Sequence, residues 1–64
     1  MHSELPAAVT KAINDRFPGA TLISAERETE KGRVYYEVEI RDKEGRWEVD
    51  VTPEGKIIDI DRET

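Results

Sequence analysis

An α+β fold, one N-terminal helix packed on a four-stranded antiparallel meander sheet, follows from three features of this 64-residue sequence. Apolar residues recur every four positions from Leu5 to Phe17, the spacing of a helix with one buried stripe. After Ala20 the period changes to two, as on a half-buried strand. Thr29 to Gly32, Asp42 to Gly45 and Thr52 to Gly55 each begin with Thr or Asp and end in Gly, which divides the remainder into strands of hairpin length.

The helix is predicted over about residues 4–17. Ser3 is a suitable N-cap, its hydroxyl accepting from the free N–H groups of the next turn, and Pro6 falls where a missing N–H costs little. Leu5, Val9, Ile13 and Phe17, with Ala8 and Ala12, make the buried stripe; Thr10, Lys11, Asn14 and Asp15 take the other side. Pro18 disfavours helical geometry at Phe17, and Gly19 lets the chain reverse.

Strands are predicted over about residues 21–28, 33–41, 46–51 and 56–61. Their inner faces are expected to carry Ile23 and Ala25, then Val34, Tyr36, Val38 and Ile40, then Trp47, Val49 and Val51, then Ile58 and Ile60. Four-residue turns pair Ala25 with Tyr36, Val38 with Val49, Ile40 with Trp47, and Val49 with Ile58, so each pair is apolar. A one-residue slip would send the whole set to the wrong face. Trp47 is expected to lie buried between helix and sheet, and Arg62 to Thr64 to fray.

The composition excludes several functions. A chain this short hides only about 60% of its unfolded surface and has no room for a deep active-site cavity. Ten Lys and Arg against 15 Asp and Glu give a net charge of −5, which disfavours nucleic-acid phosphates and anionic membranes and favours a partner with a basic patch. Without cysteine there are no disulfides, iron–sulfur clusters, thiolate zinc sites or thiol nucleophiles. No apolar run exceeds four residues, too short for a spanning helix or a signal peptide; a soluble monomer is expected, of open localisation. The lone histidine, His2, precedes the helix and cannot serve Ser3 or Ser24 as a general base. The four glycines stand one per turn and form no phosphate loop. No catalytic residue, metal ligand or cofactor is predicted.

What remains is the outer face of the sheet, where alternation places Glu26, Glu28, Glu37, Glu39, Glu48, Asp50, Asp59 and Asp61 against Arg33, Arg41 and Arg46. Glu39 falls opposite Glu48, and Glu37 opposite Asp50, pairings a purely stabilising pattern would avoid. An ordinary solvated face, a docking surface for a basic partner and a cation site are the competing readings. Calcium takes roughly six to eight oxygens from a flexible loop, whereas carboxylates on a stiff ladder are expected to point in parallel, so Asp59-Ile60-Asp61 is a weak metal signal. Tyr35, Leu22 and Ile57 are also placed on this face, scattered among the acids. The expected partner-binding residues are therefore Tyr35, Glu37, Glu39, Glu48 and Asp50, with the edge strand at 56–61 as the next candidate.

Leu5-Pro6, Ala12-Ile13, Phe17-Pro18-Gly19-Ala20, Tyr35-Tyr36-Glu37-Val38, Trp47-Glu48-Val49 and Pro53-Glu54-Gly55-Lys56-Ile57-Ile58, in that order, resemble the PepSY-like family, in particular its branch similar to half of a β-lactamase inhibitory protein. The resemblance covers residues 4–61. It implies an extracytoplasmic binding or inhibitor-like module, directed at peptidases or other enzymes and without catalysis of its own. The chain departs from that pattern in having no signal peptide and a single copy of the domain. Its regular turns and charge-alternating strands also resemble a consensus or designed member, so a stable scaffold with no natural ligand is the alternative.

Overall fold

The computed structural model describes residues 5–63; His2, the Ser3 cap, the helix start at Glu4 and Thr64 lie outside them. Helix α1 (Ala7–Arg16) is followed by β1 (Thr21–Glu30), β2 (Arg33–Asp42), β3 (Gly45–Val51) and β4 (Ile57–Glu63), antiparallel in the order β1-β2-β3-β4. This is the α+β meander that the periodicities predict.

Pro6 occupies the N-cap position of α1 with φ −55°, and its carbonyl accepts from Val9 and Thr10 N–H at 2.9 and 3.2 Å. The locked proline dihedral starts the helix here without a side-chain cap. At the other end Phe17, ahead of Pro18, leaves helical geometry at φ −127° and ψ 71°, and Gly19 turns the chain with φ 80°. Val9, Ile13 and Phe17 then meet Val38, Ile40, Val49 and Val51 in one core, flanked by Leu5, Ala12, Ala20, Ala25, Tyr36, Trp47, Ile57 and Ile60.

The β2–β3 register agrees with expectation: Val38 faces Val49, Ile40 faces Trp47, Glu39 faces Glu48 and Glu37 faces Asp50. The other two hairpins differ. β1 and β2 are joined by two residues, Lys31 and Gly32, both at positive φ (53° and 77°), the geometry that matches the twist of a tight hairpin. Glu30 thus pairs with Arg33, Ala25 faces Val38 in place of Tyr36, and Glu28 faces Tyr35. A bulge between Leu22 and Ser24 then puts Leu22 opposite Ile40 on the helix side, where it lines a small cleft with Ile13 and Val38. Leu22 is therefore not an outer-face residue, and Ile23, the extra residue of the bulge, stays out of the core cluster.

A second bulge, between Asp50 and Val51, reverses the two isoleucines of β4. Ile57 faces Val51 and packs on the core, while Ile58 is 52% exposed; Val49 faces Ile60 in place of Ile58. The loop before β4 is closed by Thr52 N–H to Lys56 O and Gly55 N–H to Thr52 O, both 2.8 Å, and Thr52 Oγ1 accepts from Lys56 N–H. Gly55, at φ 93°, lies so close to α1 that a Cβ there would stand 2.7 Å from the Ala8 carbonyl oxygen.

Trp47 is half-buried and caps one end of the core. Its ring lies 5.9 Å from that of Phe17, its Nε1–H donates to Asp42 Oδ1 at 3.1 Å, and the Arg62 guanidinium covers it at 5.5 Å. Arg62 and Glu63 belong to β4, and Arg62 also donates to the Glu44 carbonyl, so this segment is tied down where fraying is expected from its terminal position.

Candidate functional site

The sheet face opposite α1 is organised in rows set by the ladder. One row runs Glu26, Glu37, Asp50, Asp59 across all four strands, every member facing a like charge. The next runs Ser24, Glu39, Glu48, Asp61, and the one beyond it Thr21, Arg41, Arg46, Glu63. Like charges directly across a ladder destabilise it by a few tenths of a kcal/mol per pair or more. Sheet stability alone does not account for a four-carboxylate row.

Of the expected site residues, the structure draws Glu37, Glu48 and Asp50 together, one oxygen of each lying within 4.8 Å of the others. All three are half-buried, and all three carboxyls are held above their ordinary range. Burial, which penalises the ionised form, is the largest cause in each case. Mutual repulsion adds to it: Asp50 acts most strongly on Glu37, Glu37 on Glu48, and Glu48 on Asp50. Asp50 Oδ1 is buried and has no hydrogen-bond donor.

Glu39 behaves differently. It ion-pairs with Arg46 and accepts from Ser24 Oγ, and the Arg46 hydrogen bond holds its carboxyl below the usual range. Tyr35 stands opposite Glu28, its phenol raised by burial and by the carboxylates of Asp50, Glu30, Glu28 and Glu37. Glu28 is raised as well, chiefly by its hydrogen bond with Glu26.

The ladder crowds carboxylates more than parallel side chains would, and a second trio, Glu26, Glu28 and Glu37, also comes within 4.8 Å. Three carboxylates from adjacent strands supply fewer ligand groups than calcium's shell of roughly six to eight oxygens. Crowding of this kind does not by itself define a metal centre.

At one end of the face, Tyr35, Asp50 and Ile58 line a groove of ≈ 850 Å³ that also takes in Arg33, Val34 and Pro53. It exists because Arg33, Val34 and Tyr35 run past the last β2–β3 pair, Tyr36 with Val51, while the chain leaves β3 for the loop after Val51. Ile58 is the residue here that sequence reasoning misplaces. The only signal of it is the adjacent pair Ile57-Ile58, which cannot both face inward on an unbroken strand.

Residues 6–61 match the family model described as peptidase propeptide and YPEB domain, PepSY. This chain belongs to the PepSY family. It matches no curated protein and no solved structure. PepSY domains are propeptide or inhibitor-like regulatory modules, generally non-catalytic, that interact with proteases and are typically extracellular or periplasmic. Among the described residues of this PepSY domain, no helix is long and apolar enough to cross a membrane.

Proposed function

We propose that this PepSY domain is a non-catalytic binding or inhibitor-like module that meets a protein partner with the outer face of its sheet, around Tyr35, Glu37, Glu39, Glu48 and Asp50. The observation that carries this reading is the half-buried trio Glu37, Glu48 and Asp50, three crowded carboxylates with no basic side chain paired to them among the described residues. Such charge is better accommodated once a complementary basic patch covers it, and a stiff sheet loses little entropy on docking. By family, the partner is an extracytoplasmic peptidase or another enzyme, recognised through basic residues.

The test is capture from an extracytoplasmic protein fraction, followed by association and dissociation rates for the captured enzyme at several salt concentrations. Association is expected to slow steeply as salt rises, since the acids steer encounter. Tyr35→Ala should act mainly on dissociation, and the double reversal Glu37→Lys with Asp50→Lys should abolish steering while the fold is retained. Affinity indifferent to both variants places the interface elsewhere, with the free edge of β4 the next surface to examine.

A further inference from the structure

The groove at the end of this face narrows the chemistry of what it receives. Its floor carries Asp50, whose Oδ1 is buried without a donor and whose neighbours across the ladder, Glu37 and Asp59, bring only further negative charge. One wall is Tyr35, and Ile58, 52% exposed, supplies apolar surface beside the carboxylate. Along the rim, Val34 lies beyond the last β2–β3 pair, which leaves its backbone N–H and C=O on the β3 side free to pair with an extended segment. Lys31 and Arg33 also line the groove, yet neither forms an ion pair with Asp50.

We propose that the groove binds an extended peptide segment of the partner through one arginine, its guanidinium donating to the accessible oxygen of Asp50 and its stem lying between Tyr35 and Ile58. Arginine fits where lysine does not. Its flat guanidinium stacks on an aromatic ring such as Tyr35 and sheds water readily when it donates to a half-buried carboxylate, whereas an ammonium is a compact, strongly hydrated point charge. The three-carbon stem covers apolar surface that is otherwise exposed at Ile58. This rests on the outer-face reading and adds to it the identity of the anchoring side chain.

The experiment is a titration of the ¹⁵N-labelled domain with a synthetic Ser/Gly octapeptide bearing a single central arginine, compared with the same peptide carrying lysine or citrulline, the neutral isostere of arginine. The arginine peptide is expected to shift the amides of Tyr35, Asp50 and Ile58 at millimolar concentration. The citrulline peptide should bind about tenfold or more weakly, the loss expected for one charge-assisted hydrogen bond. Asp50→Asn should bring the arginine peptide down to the citrulline level. Asp15→Asn, which removes the same charge from α1, should leave its binding unchanged. Lysine or citrulline binding as tightly as arginine overturns the proposal, as do shifts spread over Glu37 and Glu48 that bypass the groove. Calcium chloride shifting the same amides at lower concentration than the peptide also overturns it, in favour of a cation site. If arginine selectivity fails while the Glu37 and Asp50 reversal still abolishes partner steering, the outer-face reading stands without its anchor; if the reversal has no effect on a captured partner, the outer-face reading itself falls.

Discussion

Asp50→Asn is the substitution whose effect on stability follows most directly from the row of acids. Asp50 faces Glu37 on one side and Asp59 on the other, and each like-charge pair works against the ladder by a few tenths of a kcal/mol or more. Asparagine removes both repulsions with almost no change in volume, and its amide offers a donor to the neighbouring carboxylates. At neutral pH and low salt the variant should be more stable by about 1 kcal/mol. With an m-value of roughly 1 kcal/mol/M for so small a domain, the urea midpoint should rise by about 1 M. The pH dependence supplies the control. A carboxyl whose folded pKa lies above its unfolded value makes the folded state bind more protons, so the repulsive contribution is full above the folded pKa and relieved as pH falls through it. The parent should therefore gain stability as pH falls from neutral through these raised values and close the gap to the variant, which should vanish below the ordinary aspartate value of 3.8. Glu39 and Asp42 act in the opposite sense. Their carboxyls are held low, by Arg46 and by the Trp47 indole, so their stabilisation is present above the usual carboxylate range and lost only at more acid pH. Salt should shrink the advantage of the variant. A destabilised Asp50→Asn at pH 7, or an advantage that persists unchanged in acid, refutes the reasoning.

Two further substitutions test the scaffold that presents the face. Gly55→Ala combines a left-handed backbone with a Cβ placed 2.7 Å from the Ala8 carbonyl, and should cost about 2–4 kcal/mol; Gly32→Ala, at φ 77° with open space around it, should cost about 1 kcal/mol by denaturant titration. Equal costs would mean that the loop does not lean on the helix. Trp47→Ala removes the half-buried lid over Phe17 and should cost about 2–4 kcal/mol, while native Trp47 fluorescence should be blue-shifted relative to free tryptophan; emission like that of the free amino acid contradicts the packing.

The amino-acid pattern tells which face a residue takes far better than which residue it meets. Side chains alternate with period two, so β1 can slide two residues along β2 and keep Ala25 inside and Glu26 outside. The turn at Lys31-Gly32 causes such a slide. A lysine at positive φ is uncommon outside special turns, which favours reading a longer loop, yet the tight turn adds ladder pairs from Thr29 through Glu30. The hydrophobic pattern is indifferent to that difference and the electrostatics are not: the slide moves Glu26 from opposite Tyr35 to opposite Glu37 and completes the four-carboxylate row. Face assignments fail only where two apolar residues stand side by side, at Leu22-Ile23 and Ile57-Ile58, because there the period does not decide which one turns inward and a bulge does. At the second of these the consequence reaches the binding face. With Ile57 drawn inward onto Val51, Ile58 is left beside Asp50 and Tyr35, and an acidic sheet acquires the apolar wall that makes a groove out of it.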